Sequence, residues 1–314
     1  MGRFAKTLGL LAFSTLALGS VAGAEPKAVA VGTGRTGAWS ERHAGIGDDV
    51  RSGKPVVVEV FVPLCSDDKG GPCGKHSGAG DPKNLEDNLY WGAVFGARTY
   101  LGRRDTGWSR VEAGSGEGFE LERATFKRTV HGSHWGTSGS VEVFVVLHAM
   151  DGDAGDDALK RFLDVAGSGG SVKFSDGSGT REERVHAVGF VGRNPLLRNG
   201  RIPEKLELPA APSGTGIPAF TTMAHARETL GAWLRRAGSR ELLLPRGPVA
   251  SEGYVLDAVV HGLANNEQPA SVRKRVVKAY TRWHKIPTTL AELYFTPMQP
   301  KNWNFAAPAP KTGG

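Results

Sequence analysis

Apolar runs separated by polar and glycine-rich segments divide the chain into a series of buried strands. Residues 56–64 (VVVEVFVPL) are β-branched and almost continuously apolar, the pattern of a strand covered on both faces. Other runs of similar character predict five more strands, over residues 121–130, 140–150, 185–191, 217–222 and 241–244. The first two of these flank a loop of Gly and Ser at 131–139, so we expect them to pair with each other.

Helical periodicity fills most of the intervals between these strands. It covers residues 84–101, 158–166, 227–237, 252–263 and 270–283. Strands that alternate with helices favour an α/β fold with a mostly parallel, doubly wound sheet. Ser251 is placed to cap the fourth helix, and Pro269 suits the start of the fifth.

These elements divide the chain into five segments. They are a leader at 1–24, an N-terminal segment at 25–50, an α/β domain at 51–250, a helical C-terminal extension at 251–298 and a flexible tail at 299–314. Glycines are concentrated around 114–118 and 167–179, which predicts long loops there.

The leader has the pattern of an export signal. Arg3 and Lys6 precede an apolar run over residues 8–18, and Ala22-Gly23-Ala24 form a small-residue cleavage site. No later run is long and apolar enough to span a bilayer, so we expect no membrane span in the mature chain. The sequence therefore predicts an exported protein, either periplasmic or secreted.

The charge of the mature chain is modest. The full sequence has 39 basic and 32 acidic residues, and removal of the leader takes away Arg3 and Lys6 but no acid, leaving 37 against 32, or +5. Such a small, dispersed excess does not indicate a nucleic-acid partner. Basic residues are densest in the predicted helix at 270–283 and just after it, where they are Arg273, Lys274, Arg275, Lys278, Arg282 and Lys285. This is either a solvated face or a contact surface for an anionic envelope polymer or acidic partner.

Cys65 and Cys73 are the only cysteines in the sequence. In an oxidising compartment a disulfide that closes this short, glycine-rich loop is favoured. The alternative makes Cys65 a nucleophile beside His76, but Asp67 and Asp68 disfavour formation of a thiolate there.

Other motifs give little support for a metal or cofactor. His131 and His134 have a metal-like spacing, but no partner ligand lies close in sequence. The acidic run at 151–157 departs from a calcium loop, since Asp156 replaces the required Gly and Phe162 the required Glu, so helix capping is preferred. Phosphate-loop, dinucleotide and Gly-x-Ser-x-Gly motifs are absent, and we expect neither metal nor cofactor.

Four segments resemble a family of uncharacterised exported bacterial proteins. They are the run 56–65, Asp87-Asn-Leu-Tyr-Trp-Gly-Ala93, the strand end Gly192-Arg193-Asn194-Pro-Leu-Leu197, and Ser251-Glu-Gly-Tyr-Val-Leu256, and the resemblance covers residues 50–285. In that family the third strand ends in Gly-His-Asn and the fourth in a Cys-x-Ser segment, an arrangement similar to the caspase and legumain type of cysteine peptidase. The resemblance implies a caspase-like fold with the functional groups at the carboxyl ends of the strands.

This chain departs from the family at both catalytic positions. Arg193 stands where the family has His, and Ala224, or Met223 in the other alignment of the loop, stands where it has Cys. Neither a methyl group nor a guanidinium can provide the nucleophile or the acid of a cysteine peptidase. The resemblance thus implies a noncatalytic scaffold.

On this basis we expect the chain to bind a peptide or a cell-envelope component. The candidate ligand-binding residues are Arg193, Asn194, His225 and Glu252. For Arg193 the alternative is a simple ion pair with a nearby carboxylate, and for His225 it is a solvated or capping side chain. For the whole protein the alternative is a cysteine-type peptidase or other hydrolase that uses Cys65 or a site misaligned here.

Overall fold

A seven-stranded mixed sheet forms the centre of the computed structural model, which describes residues 37–42, 45–69, 71–214 and 216–296. The nine strands within these ranges are β1 (Val56–Pro63), β2 (Ser109–Ser115), β3 (Glu120–His131), β4 (Ser140–Met150), β5 (Ser171–Ser175), β6 (Thr180–Arg184), β7 (Ala187–Phe190), β8 (Ala219–Thr221) and β9 (Glu241–Leu243). The strand order of the central sheet is β2-β3-β4-β1-β7-β8-β9. β5 and β6 form a separate hairpin.

The sheet is mostly parallel. β1 lies between β4 and β7 and is parallel to both, and β7, β8 and β9 continue in the same direction. β3 pairs antiparallel with β4, as predicted, and β2 adds an antiparallel edge strand. The carboxyl ends of five strands therefore meet at one edge of the sheet.

Helices and the hairpin cover both faces of the sheet. The seven α-helices among the described residues are α1 (Ile46–Arg51), α2 (Ala97–Leu101), α3 (Gly155–Ser168), α4 (Ala226–Arg236), α5 (Gly253–Ala264), α6 (Pro269–His284) and α7 (Thr288–Phe295). Side chains of α3, α4 and the β5–β6 hairpin share one core with the sheet, and side chains of α2, α5, α6 and α7 share the core on the other face. Because it is covered on both sides, β1 is buried along its whole length.

The predicted fold class is confirmed. The protein is α/β, with a mostly parallel sheet and C-terminal helices, and this arrangement is consistent with a caspase-like α/β fold. All described residues belong to one compact unit. None of the helices within the described ranges is long and apolar enough to cross a membrane. The predicted signal at 1–24 and tail at 299–314 lie outside those ranges.

The helix predicted at 84–101 is wrong for most of its length. Only Ala97–Leu101 is helical, and residues 84–96 form successive turns. The Asn84 Oδ1 accepts hydrogen bonds from the N–H groups of Glu86 and Asp87, both at 2.9 Å. Side-chain bonds of this kind compete with helical ones, which is why helical spacing of the apolar residues misled the prediction.

Glycine content also misled the prediction of loops. β2 includes Gly114, and β5 and β6 lie within or beside the segment 167–179. β2 and β6 have no buried position and contain few apolar residues, so they lack the hydrophobic pattern that marks a central strand.

Candidate functional site

The residues that follow the parallel strands lie together at the carboxyl edge of the sheet. Arg193 and Asn194 follow β7, and Ala224 and His225 follow β8. Asn194 Nδ2 donates a hydrogen bond to the Ala224 carbonyl oxygen at 2.8 Å. The structure thus brings the two predicted catalytic positions to neighbouring places on one edge.

A cleft of about 150 Å³ opens at this edge, between the segments that follow β1, β4 and β7. The chain order of the parallel strands reverses between β1 and β7, and the crevice at such a switch point is the usual ligand site of a doubly wound sheet. We call it the edge cleft, and its lining residues are Pro63, Leu64, Ser66, Lys69, Gly152, Asp153, Gly155, Asp156, Arg193, Asn194, Pro195, Leu197 and Arg198.

Arg193 is fixed in the edge cleft by main-chain carbonyls rather than by a carboxylate. Its Nη1 donates to the Ser66 carbonyl at 2.9 Å, and its Nη2 donates to the Gly71 carbonyl at 2.5 Å. Neither partner neutralises the guanidinium, which has five N–H groups in all. Arg193 therefore keeps its charge and further donors at the wall of the cleft.

Tyr90 also contacts Arg193. Burial raises the pKa of the Tyr90 hydroxyl, while the charge and hydrogen bond of Arg193 act in the opposite direction. Tyr90 is 8% exposed, so its ring packs in the core while its hydroxyl meets the guanidinium. Nothing in the sequence marks Tyr90 as a partner of Arg193, because 102 residues separate the two and no motif links them.

The loop that holds Arg193 is closed by the Cys65–Cys73 disulfide, which confirms the predicted pairing. Asn88, which is fully buried, accepts from the Cys65 N–H and donates to the Cys65 carbonyl, both at 2.9 Å. Asp67 Oδ1 accepts from the Cys73 N–H at 2.7 Å. Because both sulfurs are in the bridge, Cys65 has no thiol with which to act as a nucleophile.

Asn194 uses its side chain within the protein. Besides the bond to Ala224, its Nδ2 donates to Thr229 Oγ1 at 3.0 Å, and its Oδ1 accepts from the Leu196 N–H at 3.0 Å. These bonds tie the turn after β7 to the first turns of α4. Asn194 thus positions Arg193, its neighbour in the chain.

His225 lies at the start of α4 in a left-handed conformation, with a φ of 55°. Its N–H donates to the Gly247 carbonyl at 2.9 Å, and its own carbonyl accepts from Thr229 Oγ1 at 2.9 Å. The main chain of His225 therefore joins the loops after β8 and β9. It does not line the edge cleft.

Glu252 is the N-cap of α5, and its side chain forms a network with Tyr254 and His284. The Tyr254 hydroxyl donates to Glu252 Oε2 and also lies 2.5 Å from His284 Nε2. Burial and the bond to Glu252 raise the pKa of Tyr254, which keeps the phenol protonated. Glu252 is therefore held among the C-terminal helices and does not line the edge cleft.

Ser251 does not cap α5, contrary to the prediction. Its Oγ accepts a hydrogen bond from the Gly192 N–H at 2.7 Å and bonds to Thr222 Oγ1. The N-cap of α5 is Glu252, and its side chain forms no capping bond. Ser251 instead links the ends of β7 and β8 to the C-terminal helices, a contact between segments about 60 residues apart that the local pattern does not reveal.

The acidic segment after β4 contributes the opposite charge to the edge cleft. Asp153 Oδ1 accepts from Ser66 Oγ at 2.8 Å, and Asp156 lies in the first turn of α3. Asp151 caps the turn before that helix by accepting from the Asp153 N–H at 3.0 Å, which fits the predicted capping role of this segment. Ser66 and Asp153 were missed, although both follow strands whose ends meet at this edge.

A separate group of charged side chains is buried beneath α3. His148 Nδ1 lies 2.9 Å from Glu120 Oε1, and its Nε2 lies 3.0 Å from Glu59 Oε1. Burial alone would lower the pKa of His148, but these two carboxylates outweigh burial and raise it. Burial would likewise raise the pKa of Glu120, but His148 and Arg123 lower it to about 2. This group joins three neighbouring strands, β3, β4 and β1, and does not line the edge cleft.

No metal centre is formed by the part of the chain that the structure describes, where no three His, Cys, Asp or Glu side chains are grouped to hold an ion. His131 Nδ1 lies 2.7 Å from Ser133 Oγ and accepts from the Ser133 N–H. Its ring therefore caps its own turn.

Comparison with protein-family models, with curated proteins and with solved structures gives no match to this chain. The resemblance to cysteine peptidases accordingly stays a prediction from the sequence.

Proposed function

We propose that the protein is an exported, noncatalytic binding protein whose edge cleft holds one acidic group of a peptide. The observation that carries the proposal is Arg193, which is held by two carbonyl groups and the Tyr90 hydroxyl and forms no ion pair with a carboxylate of the described residues, although Asp153 and Asp156 also line the cleft. A guanidinium fixed in this way is suited to bind a carboxylate in a two-point contact.

The charges around Arg193 match a peptide better than a simple anion. Lys69 and Arg198 add positive charge to the lining, whereas Asp153 and Asp156 add negative charge on the side of α3. A carboxylate of the ligand would face the cations, and an amino group or main-chain N–H would face the aspartates. Mixed charge of this kind favours a polypeptide over a uniformly negative polymer at this site.

The size of the cleft sets how much of the ligand it holds. A volume of about 150 Å³ is well below the roughly 300–1,000 Å³ of sites that enclose a drug-sized molecule. The cleft thus accommodates a single side chain or a terminal carboxylate. The rest of the peptide would lie across the exposed loops at the edge.

The same site lacks the groups for peptide hydrolysis. Arg193 and Ala224 supply neither a nucleophile nor a proton donor, and Cys65 is engaged in the disulfide. Binding without cleavage is therefore favoured over the hydrolase alternative. Export, to the periplasm or beyond the cell, is part of the proposal and is supported by the leader and by the disulfide.

The test is a titration of the purified protein with a fluorescein-labelled peptide rich in Glu, followed by fluorescence anisotropy. Arg193→Gln removes the charge and should weaken binding about tenfold or more, because a hydrogen bond to a charged group contributes about 1.5–3 kcal/mol. Arg236→Gln, an exposed position on α4, removes the same charge elsewhere and should leave affinity unchanged. Equal affinity of the wild type and Arg193→Gln would refute the proposal, as would a wild type that binds no acidic peptide.

A further inference from the structure

The C-terminal helices carry a second charged surface, separate from the edge cleft. α6 (PASVRKRVVKAYTRWH) contains no acidic residue. Three of its exposed cations fall within about 80° around the helix axis, at about 100° per residue. We call these residues the α6 basic face, and they are Lys274, Lys278 and Arg282.

The opposite side of α6 is fixed in the core. Val272, Val276, Val277 and Tyr280 are buried against the sheet and the neighbouring helices. α6 therefore cannot turn an apolar side outward, and its exposed side acts through charge.

The cations of the α6 basic face follow one another along the helix. Lys274, Lys278 and Arg282 are four residues apart, which places them at intervals of about 6 Å along the axis. Arg275, beside them, is held by Glu267, with Nη2 at 2.6 Å from Oε1. Like charges at this spacing repel one another on an isolated helix, so an anion with repeated charges would relieve the repulsion.

A groove of about 530 Å³ lies between α6 and α7 next to this face. Val277 and Phe295 are among its apolar lining residues, and Arg273, Lys274 and Lys278 are its basic ones. Glu292 is the one carboxylate among the described residues that line it. The groove is thus concave, open to solvent and predominantly positive.

We propose that the α6 basic face and this groove bind a linear anionic polymer of the cell envelope. A row of cations beside a groove suits an extended strand with repeated negative groups, since each cation meets a different group of one chain. This site is independent of the edge cleft, and its ligand differs from the peptide proposed there.

Two other occupants fit less well. A membrane surface would need an exposed apolar side for insertion, and α6 directs that side into the core. Residues 297–314 follow α7, but they include Lys301 and Lys311 and no acidic side chain, so their charge does not complement the groove.

The test measures binding of the purified protein to fluorescein-labelled poly(glycerol phosphate) and polygalacturonate, with neutral dextran as the control polymer. The variant Lys274→Gln/Lys278→Gln/Arg282→Gln removes three charges from the surface. Lys205→Gln/Arg236→Gln/Arg240→Gln removes three exposed charges elsewhere and matches it in net charge. Both variants are checked for wild-type thermal unfolding.

We expect the wild type to bind at least one anionic polymer and not dextran. The α6 variant should lose at least tenfold in affinity, and its plot of log affinity against log salt should be flatter by about 2, because fewer counterions are released. The matched variant should lose less than threefold.

Three results would overturn the proposal. They are no binding of either anionic polymer at low salt, an equal loss in both triple variants, and binding of anionic phospholipid vesicles that exceeds binding of both polymers. Loss of peptide binding in Arg193→Gln without a change in polymer binding would leave this proposal standing.

Discussion

Removal of the Cys65–Cys73 disulfide should lower the stability of the protein and weaken ligand binding in the edge cleft. The bridge closes a loop with a sequence separation of eight residues. The chain-entropy relation for a loop of that size gives about 8 cal/mol/K, or about 2.5 kcal/mol at 25 °C. We therefore expect Cys65→Ala/Cys73→Ala to lower the free energy of unfolding by about 2.5 kcal/mol.

Other contacts keep the loop from unfolding completely in this variant. Asn88 still binds both main-chain groups of residue 65, and Asp67 Oδ1 still accepts from the N–H of residue 73. The Gly71 carbonyl, which binds Arg193, lies inside the closed loop and is the group most affected by its release. The Ser66 carbonyl also lies in this loop, but it directly follows residue 65, whose main chain is held by Asn88, so we expect it to remain in place. Acidic-peptide affinity should fall several-fold but not vanish.

The assay is urea unfolding followed by tryptophan fluorescence, with and without a reductant. Trp91 is fully buried close in sequence to Asn88 and reports unfolding of this region. Reductant should destabilise the wild type by about as much as the double substitution does, and it should not affect the double variant. A wild type that is insensitive to reductant while the double variant matches its stability would refute the reasoning. A loss above about 5 kcal/mol would also refute it, because loop closure of this size cannot supply so much.

Three further predictions concern stability. Asn88→Ala leaves the buried N–H and carbonyl of Cys65 without partners, so the free energy of unfolding measured in urea should fall by about 3 kcal/mol. A fall of less than about 1 kcal/mol would contradict the importance of these two hydrogen bonds. Burial lowers the pKa of His186 to about 4, so the contribution of the neutral side chain to the free energy of unfolding is present above pH 6.5 and is lost as the pH falls to 4. His186→Asn should therefore remove roughly 3 kcal/mol from the loss of unfolding free energy between pH 7 and pH 4, and a variant with the pH profile of the wild type would disprove this. Glu59 and Glu120 raise the pKa of His148, so the contribution of the charged imidazole to stability is complete below pH 6.5 and declines as the pH rises through the raised pKa. His148→Gln should therefore make the melting temperature less dependent on pH between pH 6.5 and 9. A pH dependence equal to that of the wild type would exclude the charged cluster as its cause.

The central strands and the fold class could be predicted because their signals are local. β1 is apolar on both faces, and a strand with that pattern must be covered on both sides, which implies a parallel sheet with helices on each face. β4 matches its predicted bounds, since its apolar run and its limits are both visible in the sequence. By contrast, residues 84–96 are shaped by hydrogen bonds of Asn84 and Asn88, and the Asn88 partner at Cys65 is 23 residues away.

The candidate site was only partly predictable for the same physical reason. Arg193 was selected because it stands where the resembled family has His at the end of the third strand, and the carboxyl ends of parallel strands meet at one edge. Its partners Ser66, Gly71 and Tyr90 are more than 100 residues distant, and nothing in their local sequence marks them. Glu252 was selected as a candidate, but its bonds with Tyr254 and His284 depend on how α5 packs against α6.

The measurement that tests the central claim most directly is mass spectrometry of a mixed peptide library incubated with the purified protein, in which retained peptides and newly formed termini are both recorded. Wild type is compared with Arg193→Gln. If the edge cleft binds without cleaving, the wild type retains acidic peptides intact, Arg193→Gln loses them, and no new termini form with either protein. Peptides cleaved by the wild type, or acidic peptides retained equally by Arg193→Gln, would contradict the account.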